Sequence, residues 1–265
     1  MNRIVPGLLL AGFWLLLLLQ GTISLFCIVV IVLLIIGADE YCKMIDVRPR
    51  SGFERWMLNV ILAGPGIAAC FFPAEEVLSV MLLLCFFCLA AYFFYAFGQL
   101  NNGYELLSRY TFGLFYIGLL GGYVVLLRHQ PDGGSWLVVA SAITACSDSC
   151  AYFVGRRFGK RKLCPTISPN KTVEGAVGGI CGGTLAAVIF CFLLLPKVNM
   201  LFLVPISILL CVIGIGGDLL ESIVKRGTGT KDSGTCLAGH GGILDRVDSL
   251  LCVCPALYFL LPLLV

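Results

Sequence analysis

The chain has 265 residues, 59% of them hydrophobic and only 12% charged, with a formal net charge of +3. A soluble domain carries about 25% charged residues, so this polypeptide has too little polar surface to face water on all sides. A mean hydropathy of +1.00 and long charge-free runs exclude an ordinary soluble enzyme. They predict an all-α, polytopic integral membrane protein, because helices satisfy their own backbone groups in lipid. The small net charge implies no nucleic-acid partner.

In chain order, the first apolar run extends from Gly7 to Ala38. It is too long for a signal-peptide core, and no small-residue cleavage site with a polar flank follows it, so it is expected to be retained. It exceeds one span and is interrupted at Gln20-Gly21-Thr22, which predicts a helical hairpin, Pro6–Leu19 and Ile23–Ala38. Further spans are predicted over Met57–Phe72, Val77–Phe97, Tyr110–Leu127, Ser135–Gly155, Gly175–Leu195, Met200 to about Lys225, and Ser249 to the C-terminus. That makes about nine transmembrane helices. Residues 1–134 are expected to be the scaffold on the lipid side, and residues 135–265 the catalytic region, with cytoplasmic loops 156–174 and 226–247.

Basic residues collect in cytoplasmic loops, so their distribution predicts orientation. Fifteen of the eighteen Lys and Arg residues fall in the loops after the second, fourth, sixth and eighth predicted spans. Arg128 and Lys197 alone occupy the other loops, with Arg3 at the N-terminus. The even loops and the N-terminus are therefore expected in the cytoplasm. Most of the fourteen cysteines sit within apolar runs and read as small buried apolar residues. Cys85-x-x-Cys88 has no second pair, His or charge beside it to make a metal or redox site.

Three features stand out from this background. The first is Asp148 within the sixth predicted span, where a carboxylate is costly unless solvated, paired or bound to a cation. Its bland reading is an acid near a helix end that reaches water. The second is the loop Gly155–Gly175, with six cations and one acid, suited to phosphate, whether of lipid headgroups or of a nucleotide. Within it Ser168-Pro169 has the pattern of a helix start, with Ser168 as N-cap and Pro169 at the first helical position, beside Lys171 as a phosphate site. Gly175, Gly179 and Gly183 form a G-x-x-x-G stripe that reads as a helix-packing face.

The third feature runs from Gly217 to Ser249. Asp218, Glu221, Ser222 and Lys225 lie at i, i+3, i+4 and i+7, so one helix face ends an apolar span with two acids, a hydroxyl and a cation. The following loop supplies Lys231, Asp232, His240, Gly239, Gly241 and Gly242, then Asp245 and Asp248 on one helix face. Oxygen donors without Cys or His at zinc spacing favour a hard cation, Mg²⁺ before Zn²⁺. Acids, nearby cations and a Gly-rich turn suit phosphoryl chemistry, and no Walker A pattern is present.

These residues resemble a known family. Ser222-x-x-Lys225-Arg226, then Lys231-Asp232-x-Gly234, then His240-Gly241-Gly242-x-x-Asp245-Arg246-x-Asp248 is similar to the signature of the phosphatidate cytidylyltransferases, also called CDP-diacylglycerol synthases. Upstream, Asp148-x-x-Ala151-Tyr152-Phe153-x-Gly155-Arg156 and Ser168-Pro169-x-Lys171-Thr172-x-Glu174-Gly175 look like the same family. The motifs cover the C-terminal half. Ala238 stands where the family usually has Pro, and Cys236 is also atypical.

The resemblance implies condensation of CTP with phosphatidic acid to CDP-diacylglycerol and pyrophosphate, using Mg²⁺, in the membrane of a bacterial cell with the site facing the cytoplasm. It gives Asp218 and Asp245 as first metal candidates, with Asp148 and Asp248 second. Lys225 would bind and polarise a phosphate. Arg156, Lys171, Arg226 and Lys231 would share the triphosphate charge, with Ser168 and Ser222 as hydrogen-bond donors and Asp232 and Arg246 in the substrate-binding set. His240 reads either as a proton shuttle or as a structural residue of the turn. Family members are dimers, which implies a homodimer here. A second cation such as K⁺, acyl-chain preference and use of dCTP stay open. Two other classes also stay open: a polytopic transporter, whose acids would sit near the midplane, and another nucleotide-using lipid enzyme such as a polyprenol kinase.

Overall fold

The computed structural model describes residues 4–46, 51–100, 102–234 and 241–264. Helices α1 (Ile4–Gln20) and α2 (Ile23–Ile45) part at Gly21 and Thr22, as the interrupted apolar run predicts. Thr22 Oγ1 accepts from Leu25 N at 3.2 Å and so caps α2. Helix α3 (Gly52–Phe71) is capped in the same way by Ser51, and α4 (Glu75–Ala96) follows. Helix α5 (Gly103–Gly113) continues through a π-helical turn, Leu114–Leu119, into α6 (Leu120–His129), forming one rod over Gly103–His129. Then come α7 (Gly133–Phe158), a hairpin of β1 (Lys162–Cys164) and β2 (Ser168–Thr172), α8 (Val173–Leu194), α9 (Met200–Gly227) and α10 (Leu244–Leu260).

Among the described residues seven helices are long and apolar enough to cross a membrane: α2, α4, the α5–α6 rod, α7, α8, α9 and α10. Helix α1 contributes only a shorter apolar stretch, Leu9–Gln20. Helix α3 opens on Glu54 and Arg55 and carries Asn59 and Pro65. These two separate the nine predicted spans from the seven that qualify by length and composition.

Two clusters of contacts mark opposite ends of the bundle. At one, Arg128 donates to Gly21 O at 3.0 Å, Tyr258 OH donates to Glu75 Oε1 at 2.9 Å, and Asn199 N donates to Leu264 O at 3.1 Å. At the other, Arg109 Nη1 donates to Ile45 O at 3.1 Å, and Arg226 Nε of α9 donates to Ile167 O of the hairpin turn at 3.2 Å. Buried side chains such as Phe26, Leu58, Leu62, Leu89 and Tyr110 fill the interior. The outer faces of α4, α8 and α9 are also apolar, with Phe94, Phe192 and Leu201 exposed, as expected of surfaces solvated by lipid rather than water.

With apolar residues on both sides, helix association relies on close packing instead of hydrophobic segregation. The α7–α8 pair shows how. A Cβ on Gly175, Gly179 or Gly183 would fall 2.8, 2.9 or 3.0 Å from the carbonyl oxygens of Ala151, Ser147 and Ile143. The predicted glycine stripe is thus the surface on which α8 lies against the backbone of α7. The thirteen described cysteines are free thiols; Cys85 is buried and Cys88 exposed.

The structure corrects one expectation. Ser168 and Pro169 do not begin a helix. They open β2, which pairs antiparallel with β1, Cys164 opposite Ser168 and Lys162 opposite Thr172. Thr172 is the N-cap of α8, its Oγ1 accepting from Gly175 N at 3.1 Å. Ser-Pro satisfies a helix-start rule locally, but the extended conformation gains cross-strand hydrogen bonds from residues 162–164, and Pro is tolerated in a two-stranded edge. Glu174 then ties the turn back, accepting from Lys160 N at 3.0 Å and Arg161 N at 3.2 Å.

Candidate active site

The motif residues gather where α9, the hairpin, the loop after α9 and the start of α10 meet. On α9 the polar face predicted from the i, i+3, i+4, i+7 spacing is real, and its members differ in role. Glu221 turns inward and is only 2% exposed. Lys225 Nζ donates to Glu221 Oε2 at 2.5 Å and to Asp245 Oδ1 of α10 at 2.8 Å. The other Asp245 oxygen accepts from Gly242 N at 2.8 Å and Ser233 N at 3.1 Å. Lys225 therefore bridges two helices, its charge matched by one buried acid and by one acid at the loop.

Two turns earlier on α9, Asp218 forms an ion pair with Lys171 of β2. This pair joins the basic hairpin to the acidic helix, a connection between two segments that the sequence presents separately. Asp248 is buried on α10, and its Oδ1 accepts from Ser249 N at 2.7 Å. Asp148 stands on α7, Asp218 on α9 and Asp248 on α10, three helices that pack against one another.

Asp148, Ser147 and Ser249 line a narrow seam between α7, α9 and α10. Ser147 Oγ, Ser249 Oγ and Glu221 Oε1 are buried oxygens with no hydrogen-bond partner. Among the described residues, no group of three or more His, Cys, Asp or Glu side chains stands ready to hold a metal ion. The donor chemistry nonetheless fits a hard cation: carboxylate and hydroxyl oxygens, some of them buried without donors.

The remaining predicted residues are less tightly joined. Arg156 is exposed near the end of α7, its Nη1 donating to Tyr152 OH at 3.1 Å. Arg226 is exposed and docks on the hairpin turn. Ser168 and Ser222 are half-buried, while Lys231, Asp232 and Arg246 are exposed around the loop. His240, Ala238 and Cys236 lie outside the described residues.

Two acids had no role in the predicted site. Glu221 was read on the polar face, four residues before Lys225, but without an assigned part. Glu40 of α2 had no signal. Its carboxylate, buried at 3% exposure, accepts from Ile243 N at 2.8 Å and Leu244 N at 3.1 Å, at the very start of α10. The N-terminal helices therefore reach directly into the motif loop.

A family model described as the cytidylyltransferase family matches residues 1–264. The chain belongs to that family. It is 47% identical over 154 residues to a Bacillus subtilis (strain 168) protein named phosphatidate cytidylyltransferase, a stretch covering 58% of this chain and 57% of that protein. Proteins of the same name from Staphylococcus saprophyticus and Staphylococcus haemolyticus are 43% and 41% identical over 155 and 146 residues, in each case 55% of this chain and 55% of the relative. The chain thus covers little more than half the length of these curated relatives.

Proposed function

We propose that this member of the cytidylyltransferase family transfers the cytidylyl group of CTP to phosphatidic acid, giving CDP-diacylglycerol and pyrophosphate for phospholipid synthesis. The observation that carries the reading is the pairing of Lys171 with Asp218 and of Lys225 with Asp245, which places a cation–acid pair at each of two levels of α9, one tied to the hairpin and one to the start of α10. Cations there bind phosphates, and acids beside them hold a counter-ion or keep the lysines aimed.

In this reading Lys225 binds and polarises a phosphate, because its ammonium is fixed by Glu221 and Asp245 and cannot swing away. Lys171, Arg156, Arg226 and Lys231 share the triphosphate charge, with Ser168 and Ser222 donating hydrogen bonds; Asp232, Arg246 and His240 complete the substrate-binding set. An ionised lipid phosphate attacks the α-phosphorus of CTP and pyrophosphate leaves, so no strong base is required. Asp218 and Asp245 would hold Mg²⁺, with Asp148 and Asp248 beside them. The ion would supply neutralisation of the triphosphate and of the leaving pyrophosphate.

The same proposal includes nine traversals with the N-terminus and the motif loops in the cytoplasm, in a bacterial inner membrane. Two things support it: fifteen of eighteen basic residues in alternate loops, and contacts that gather the turns after α1, α3, α6 and α8 at the end opposite the hairpin. Residues 1–134 serve as scaffold and 135–265 as the catalytic region. A homodimer, judged by cross-linking in native membranes, belongs to the same reading.

The decisive experiment is turnover of the purified protein in detergent with CTP, Mg²⁺ and phosphatidic acid. Pyrophosphate release is the expected result. Release of CDP would instead make the protein a kinase, and absence of any turnover would favour transport. Topology is read by a cysteine label at Ser168 or Asp46 in a background lacking native cysteines. Reaction from the cytoplasmic side is expected, and labelling from outside would overturn the orientation.

A further inference from the structure

Glu40 lies in the half of the chain that carries no motif, near the C-terminal end of α2. A buried carboxylate is costly unless its oxygens find donors. Here they come from across the whole protein. Ile243 N donates to Oε2 at 2.8 Å and to Oε1 at 3.1 Å, Leu244 N donates to Oε2 at 3.1 Å, and the Ser233 hydroxyl donates to Oε2 at 3.5 Å. Ile243 is the N-cap residue of α10 and has no side-chain oxygen for the exposed first-turn amides. Glu40 caps the helix in its place from a different helix, with its negative charge at the positive end of the α10 dipole.

Two glycines leave room for this contact. A Cβ at Gly242 would lie 2.6 Å from Glu40 Oε2 and 2.8 Å from Gly234 N, and one at Gly234 would lie 2.5 Å from Glu40 Oε1. Gly241 has φ +79°, a conformation that other residues rarely adopt, and a Cβ there would stand 2.7 Å from Asp245 Oδ2. The described ends of the motif loop, 231–234 and 241–243, thus lie around two carboxylates, and Ser233 touches both. Its hydroxyl faces Glu40, its amide donates to Asp245 Oδ2 at 3.1 Å, and its Oγ accepts from Asp245 N at 3.4 Å.

We propose that Glu40 is a positioning residue for the transfer reaction: it pins the Gly-rich loop and the first turn of α10 to the scaffold helix α2, and so holds Asp245 where it meets Lys225. The proposal rests on the function proposed above. Glu40 lies beneath the loop and acts through it, without contact to the reacting groups. A displacement of about an ångström in such a support costs on the order of a hundredfold in rate.

The test uses the full-length protein in detergent and compares wild type with Glu40→Gln, which keeps the shape but turns one acceptor into a donor facing donors. Turnover with CTP, Mg²⁺ and phosphatidic acid is expected to fall roughly ten- to hundredfold in kcat, with each KM within about threefold of wild type. Hydrogen exchange of amides in 231–234 and 241–246 is expected to accelerate at least about tenfold, while α7 and α8 are unchanged. Ser233→Ala should move both quantities the same way and less far; it replaces Glu40→Gln as the deciding variant if the latter does not accumulate folded. Wild-type kcat in the variant overturns the proposal. So does a loss of kcat without faster loop exchange, or faster exchange in every helix, which would indicate general loosening. If the wild-type protein itself releases no pyrophosphate, the functional reading fails, and the exchange measurement then decides the clamp by itself.

Discussion

Replacing Lys225 by Gln separates what this side chain does for the fold from what it does for the substrate. The Lys225 side chain is 14% exposed and Glu221 only 2%, and their contact is 2.5 Å. Removing the cation leaves Glu221 as a buried, uncompensated acid, one of whose oxygens already lacks a donor. Breaking one partner out of a buried pair costs about 3–5 kcal/mol, with the lower figure apt here because Gln retains a donor. Asp245 suffers less, since Gly242 N and Ser233 N still donate to it. A charge-assisted phosphate contact is worth about 1.5–3 kcal/mol, so kcat/KM should fall by roughly ten- to a hundred-and-fifty-fold in addition. The assay pairs pyrophosphate release with the apparent melting temperature in detergent. Lys225→Gln should lower both. The double variant Glu221→Gln, Lys225→Gln removes the stranded charge and should recover the melting temperature while turnover stays low. Recovery of turnover in the double variant would refute the phosphate contact, and an unchanged melting temperature in the single variant would refute the buried-pair argument.

Asp218→Asn and Asp245→Asn should each abolish turnover with the protein still folded by circular dichroism, because an amide keeps the shape and loses the charge; near wild-type activity at low Mg²⁺ would remove that residue from the proposed ligand set. Lys171→Gln and Arg156→Gln should lower kcat/KM for CTP by about one to two powers of ten. Lys160, Arg161 or Lys162 replaced by Gln should have smaller effects that depend on salt and anionic lipid, and equal salt-sensitive losses for all five would make the loop a membrane anchor only. Gly179→Leu should separate α7 from α8, since even a Cβ there meets Ser147 O at 2.9 Å; loss of folded protein on size-exclusion chromatography is expected, and a stable, active variant would show that the close approach is dispensable.

Much of the architecture was legible because the relevant signals are local. The break at Gly21 and Thr22 and the ends of α7 and α9 all follow from a few neighbouring residues. The glycine stripe at 175, 179 and 183 was legible for the same reason, a helical period within one element. Even the face shared by Asp218, Ser222 and Lys225 required only the 3.6-residue repeat.

A local rule on its own can also mislead. Ser168-Pro169 has the pattern of a helix start, and pairing of β2 with β1 moved the start of α8 to Thr172. Pairing depends on a partner strand, and a propensity rule for single residues does not count cross-strand bonds. The grouping of the site was decided the same way. Hydropathy and motif spacing determined that this is a membrane protein with cations and acids concentrated in its C-terminal half. Only the tertiary structure coupled Lys171 to Asp218, turned Glu221 inward under Lys225, and carried Glu40 across 203 residues to the N-cap amide of α10. A buried carboxylate is recognised by the donors around it, and those donors come from segments brought together only by folding.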